Sequence, residues 1–147
     1  MIKKILVATD ASSASSRAVA EAAYMASVHE AELLILHVIR DMQLPAQMKT
    51  VPELEAFANT REDILRKVAE DILKEAADNA KAHGAKKVQV AIGSGDPATS
   101  VIGFAKRRKI DTIVVGTRGL GKVKGLFMGS VSRKIVNNAE ANCLIVR

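Results

Sequence analysis

The chain has 147 residues and a mass of 15.7 kDa, the size of one ordinary domain. A chain of this length buries roughly 70% of the surface its unfolded form exposes, so it needs neither disulfides nor a structural metal to fold. With 48% apolar and 26% charged residues it is neither a disordered tail nor a membrane protein, and although its net charge is +6, an aromatic content of 3% leaves almost nothing to stack nucleic-acid bases.

No apolar run approaches the ~20 residues of a spanning helix. The stretch Ile5 to Ala8 is too short for a signal peptide. Cys143 is the single cysteine, which excludes an internal disulfide, and these features together predict a cytosolic protein.

In chain order, Ile2 to Thr9 reads as a buried strand running into Asp10 and a serine-rich helix start. Helix one begins near Ser13, with Val19, Ala22, Ala23 and Ala26 as a thin stripe suited to packing on a sheet. Leu33 to Ile39 is a second strand, apolar on both faces except at His37. Arg40 to Lys49, with Pro45, is a loop. Thr50 then stands at capping-box spacing from Glu53, with Pro52 early in the next helix. That helix is expected to face the core with Leu54, Phe57, Leu65, Val68, Ile72, Ala76 and Ala80, and to stop at Gly84. Val88, Val90 and Ile92 alternate as a third strand. Asp96 before Pro97 opens a third helix, with Val101, Ile102 and Ala105 inward, and the run Lys106-Arg107-Arg108-Lys109 closes it, where cations complement the dipole. Asp111 to Val115 is strand four, ending at Gly116. A glycine-rich loop over Thr117 to Met128 leads into a last helix, Ser130 to Asn138, and Cys143 to Val146 is the final strand.

Strict alternation of strands and helices implies one α/β domain over 1–147: a doubly wound, five-stranded parallel sheet with helices on both faces. In such a sheet ligands bind where the strand order reverses. The order 3-2-1-4-5 brings the end of strand one, Thr9 and Asp10, beside the end of strand four, Gly116.

The segment from Gly116 to Lys122 mimics a P-loop, but Val123 replaces the Ser or Thr that would ligate magnesium and no helix follows at once. A dinucleotide fingerprint fails on spacing as well. The more specific pattern is Gly116, two residues, Gly119, nine residues, Gly129-Ser130. Glycines let the backbone approach a ligand, and a helix opening at Ser130 offers free amides to an anion. Ser132 adds a hydroxyl, and Arg118, Lys122 and Lys124 add cations.

From Ile113 through Ser132 the sequence resembles the nucleotide-binding signature of the universal stress proteins, G-x2-G-x9-G-[ST]. The resemblance extends over the chain: Lys4 to Asp10 at the opening, Leu36-His37-Val38, and Cys143 to Val146 at the close. It implies the ATP-binding branch, with ATP, AMP or ADP as ligand and any magnesium carried on the phosphates. By that resemblance the amides of Gly119, Gly129, Ser130 and Val131 hold phosphates, helped by the hydroxyls of Ser130 and Ser132. Gly116 lies under the ribose. Ala8, Thr9 and Asp10 contact the nucleoside, and Val38 offers backbone N–H and C=O to the adenine edge.

Each feature has a plainer reading. Asp10 and Ser130 can be simple helix caps, His37 a satisfied core histidine and Cys143 an inert apolar residue. No catalytic residue is assigned, and no metal site is expected, because the three histidines and one cysteine lack ligand spacing. The expected function is adenine-nucleotide binding in a stress-response regulator with slow or no hydrolysis. The alternatives are an enzyme transferring or hydrolysing phosphoryl or adenylyl groups, with Asp10 on magnesium, and a ligand-free dimeric scaffold. A homodimer through Cys143–Val146 is expected, since that strand is an uncharged edge. Membranes and nucleic acid are not expected partners, the run 106–109 reading as a solvated helix end.

Overall fold

A computed structural model describes residues 1–40, 51–117 and 128–147. Its elements are β1 (Lys4–Ala8), α1 (Ser13–His29), β2 (Glu32–Ile39), α2 (Pro52–Ala82), β3 (Lys87–Ser94), α3 (Pro97–Arg108), β4 (Thr112–Gly116), α4 (Ser130–Asn138) and β5 (Asn142–Val146). All strand pairs are parallel, in the order β3-β2-β1-β4-β5, as the alternation predicts. The expected features on 41–50 and 118–127, including the Thr50 cap, Arg118, Gly119, Lys122 and Lys124, lie outside the described residues.

Side chains alternate between two cores. Ile5, Val7, Leu33, Ile35 and Val114 pack under α1 and α2, and Leu6, Leu34, Leu36, Ile113 and Val115 pack under α3 and α4. Ile5, Leu6 and Val7 have no exposed surface. Full burial of each contributes ~1.5–3 kcal/mol, which makes the central strand the anchor for whatever its end presents. On α1 the core face is almost entirely alanine (Ala14, Ala18, Ala22, Ala23, Ala26) with Val19, so the helix lies close on the sheet.

Helix α2 departs from expectation. Its buried residues are Ala69, Leu73, Ala76 and Ala80, whereas Phe57 and Val68 are 66% and 47% exposed. At 100° per residue, Phe57, Ile64 and Val68 form a stripe well over a quarter-turn from the Ala69–Leu73–Ala76 face. Alanines and Leu73 meet the sheet, while Phe57, Ile64 and Val68 do not. The N-cap of α2 is Val51, without a side-chain cap bond. The other expected boundaries hold: Gly84 takes a positive φ of 95° after α2, and Asp96 caps α3 by accepting from the amide and hydroxyl of Thr99 at 2.9 and 2.7 Å. Those bonds, with Lys134 at 3.0 Å, hold the Asp96 carboxyl well below the usual carboxylate range, so the cap stays ionised in mild acid.

Candidate functional site

The strand order reverses between β1 and β4, and their carboxyl ends meet the N-termini of α1 and α4. At the end of β1, Thr9 is buried and its amide donates to Leu36 O at 2.9 Å. Ser15 Oγ donates to Ser12 O (2.9 Å), so the 3.2 Å contact between Thr9 and Ser15 has Thr9 Oγ1 as donor, and Thr9 Oγ1 in turn accepts from the Ala11 amide (3.3 Å). Asp10 Oδ1 accepts from the Ser12 amide (2.9 Å), closing a turn. Ser12, not Asp10, caps α1 by accepting from the Ser15 amide (3.2 Å). Ala11, between them, adopts a left-handed φ of 66°, a conformation that is sparsely populated without glycine and that gathers at functional sites. Nothing in the sequence marks Ala11, since glycine or asparagine is what that backbone favours.

His37 is half-buried at the end of β2, with Nδ1 2.8 Å from Thr9 O. A carbonyl only accepts, so Nδ1 carries the proton and Nε2 of the neutral ring is left as an acceptor. In a regular parallel ladder the amide two residues after Leu36, that of Val38, would take Thr9 O next. Here the imidazole takes it. The ladder with β1 ends at the Ala8–Leu36 pair, and among the described residues the β1-facing peptide groups of Val38 have no backbone partner. His37 is thus a satisfied histidine, as its plain reading has it, and it also turns a strand-end peptide toward the crevice.

Gly116 ends β4 directly under the first turn of α1: a Cβ built there would lie 2.9 Å from the Ala14 carbonyl carbon. Its carbonyl accepts from Ser132 Oγ at 2.6 Å, tying β4 to α4. The amide of Thr117 donates to Val146 O at 2.8 Å and that of Gly129 to Thr117 O at 2.7 Å. The N-cap of α4 is Gly129, which has no side chain to cap with, and Ser130 is the first helical residue. The plain reading of Ser130 as an N-cap therefore does not hold.

Consequently the donors that α4 offers differ from those the resemblance implies. The Gly129 amide and the Ser132 hydroxyl are spent inside the protein. The amides of Ser130, Val131 and Ser132 open a helix and so lack intrahelical acceptors, and among the described residues they and the exposed Ser130 hydroxyl have no partner. By contrast the N-terminus of α1 is capped by the Ser12 side chain. Ala8, Thr9, Asp10, Val38, Gly116, Gly129, Ser130, Val131 and Ser132 all fall at this pole of the sheet.

Among the described residues no group of three or more His, Cys, Asp or Glu side chains could hold a metal, and no helix is long and apolar enough to cross a membrane. Cys143 lies in β5, where burial pushes its thiol pKa up, so little thiolate forms.

The model of the universal stress protein family matches residues 1–147. The chain is similar to universal stress protein YxiE of Bacillus subtilis, 33% identical over 153 residues and covering 100% of both chains. A universal stress protein of Thermus aquaticus is 36% identical over 149 residues, again with 100% of both covered. Among solved structures, universal stress protein UspA from Lactobacillus plantarum superposes with a TM-score of 0.86 at 26% identity, covering 99% of this chain and 98% of that one. A universal stress protein in complex with cAMP superposes with a TM-score of 0.73 at 28% identity, with 99% and 97% covered. Family model, curated relatives and fold agree along the whole chain, and the protein belongs to the universal stress protein family.

Proposed function

We propose that this protein binds an adenine nucleotide, ATP in the first instance, and acts as a cytoplasmic stress-response regulator that hydrolyses it slowly or not at all. The observation that carries the reading is α4, whose N-terminus has no side-chain cap and opens beside the ends of β1 and β4. Its three amides that lack a partner among the described residues and the positive end of its dipole suit a phosphate, and Gly116 lets a ribose approach. The β1-facing N–H and C=O of Val38 match adenine, whose N1 accepts and N6 donates, and mismatch guanine, which reverses both. A relative of 28% identity solved with cAMP supports the adenine class. Asp10 Oδ1 accepts from the Ser12 amide, and magnesium would reach the site carried on the phosphates.

The test is nucleotide release on denaturing freshly purified protein, read by chromatography, together with thermal melts. ATP at 100 times its dissociation constant should add about 2.7 kcal/mol of stability. If neither ATP nor AMP raises the melting temperature, the reading fails.

The same reading takes the protein to be a homodimer through β5. β3, the other sheet edge, carries Lys87 and Gln89, which discourage pairing. β5 runs Cys143-Leu144-Ile145-Val146 with no charge and is only half-buried. Light scattering should return twice the 15.7 kDa chain mass. A particle of the chain mass at high concentration would rule the dimer out.

A further inference from the structure

Among the described residues, lysines and arginines gather at one end of the fold. In a parallel sheet every strand starts at the pole opposite the candidate nucleotide site, and here segments 3–4, 86–87 and 106–109 bring eight Lys and Arg residues to it. The neighbouring segments, 30–32, 110–111 and 140–142, bring four carboxylates: Glu30, Glu32, Asp111 and Glu140. Two of these are committed. Asp111 accepts the amides of Lys3 and Lys4 at 2.8 Å each, and Glu140 pairs with Lys106 at 3.0 Å.

Some of these cations share a face as well as a pole. Lys4, Glu32 and Lys87 are in register on β1, β2 and β3, so their side chains leave the sheet on the same side, with Lys4 and Lys87 rooted about 10 Å apart. α3 lies on that side. Lys4 Nζ donates to Arg108 O (3.3 Å), and the Arg108 guanidinium donates to Gln89 Oε1 (2.9 Å) and sits over Phe104, 5.7 Å from the ring centroid. The dipole of α3 accounts for cations in its last turn. It does not account for Lys3, Lys4, Lys86 and Lys87, which lie at the starts of β1 and β3.

We propose that this amino pole docks the phosphate backbone of double-helical nucleic acid, without sequence readout. A protein partner would call for apolar or aromatic anchors at its centre, and an anionic membrane for an insertable apolar face. The exposed Phe57, Ile64 and Val68 are on α2, which packs against the other face of the sheet. With aromatics at 3% bases are not stacked, which leaves the outward phosphates of a duplex as the matching ligand. Read alone, the run 106–109 is a helix end. Parallel pairing turns it into part of a patch by bringing residues 3–4 and 86–87 beside it.

Fluorescence anisotropy with a labelled 20-base-pair duplex and no added nucleotide tests this. Four phosphate contacts predict a log–log salt slope of about −3.6, and hence an affinity loss of roughly 100-fold between 50 and 200 mM salt. K86E/K87E should weaken binding about tenfold or more and flatten the slope by about two, with an unchanged melting temperature. R66E/K74E on α2 makes the same change in net charge and should weaken binding less than about twofold. The proposal is overturned if the duplex does not bind, if both double variants weaken it equally, or if phosphatidylserine vesicles or polyglutamate bind the protein where the duplex does not. Nucleotide binding, at the other pole, is read independently.

Discussion

Replacing Gly129 by aspartate should abolish nucleotide binding while leaving the nucleotide-free protein as stable as before, or slightly more so. Gly129 has φ −62° and ψ 161°, ordinary extended geometry for an N-cap that any residue adopts. Aspartate is a better N-cap than glycine by a few tenths of a kcal/mol, because its carboxylate accepts from the amides one turn in and its charge complements the dipole. Those are the same amides, at Ser130 to Ser132, that a phosphate would use. The variant therefore fills the anion site with an anion of its own. In thermal melts the ~2.7 kcal/mol expected from ATP at 100 times its dissociation constant should vanish, while the nucleotide-free melt stays put or rises. Gly129→Asn separates charge from size: it caps similarly but does not repel phosphate, so part of the ATP response should survive. A Gly129→Asp protein that keeps the full ATP shift would remove the phosphates from α4.

The fold was legible because its strands are short apolar runs punctuated by Asp, Pro and Gly, and an alternating order admits few topologies. Helix α2 was the least legible element. Leucine, valine and phenylalanine dominate any reading of periodicity, yet apart from Leu73 the buried residues over its second half are the expected Ala76 and Ala80 together with Ala69, small enough for close approach and weak as a sequence signal. At the candidate site the glycine and serine spacing pointed to the pole where β1, β4 and the N-terminus of α4 meet. What spacing cannot convey is which donors are already used. The Gly129 amide and the Ser132 hydroxyl look free in sequence and are bonded in the structure. Ser15 carried a weak signal, standing three residues after Ser12, and it ties α1 to Thr9. His37 reads as a core residue because its partner, Thr9 O, is a main-chain atom 28 positions away.

Gly116 has a second reason to be glycine, independent of any ligand, and its replacement should be among the costliest single changes in the chain. A Cβ at this position would sit 2.9 Å from the carbonyl carbon, 3.0 Å from the Cβ and 3.1 Å from the carbonyl oxygen of Ala14. Two of these three atoms are backbone in the first turn of α1, and Ala14 is only 7% exposed, so no flexible side chain can swing away. Relief requires α1 to lift from β4. Overpacking of this kind costs ~1–3 kcal/mol, and Gly116→Val should exceed Gly116→Ala. Lifting that turn also moves Ser15, and with it the hold on Thr9 at the crevice, so ATP affinity should fall in the same variants. Urea unfolding should show a lower midpoint with an unchanged m-value. Gly93→Ala is the contrast: its Cβ would meet Val38 Cγ2 at 3.4 Å and Leu36 Cδ1 at 3.5 Å, ordinary contacts with side-chain atoms, and the change should stay within about 0.5 kcal/mol. Equal losses at the two positions would mean that substitution of a strand glycine, rather than the approach of Ala14, sets the cost at Gly116.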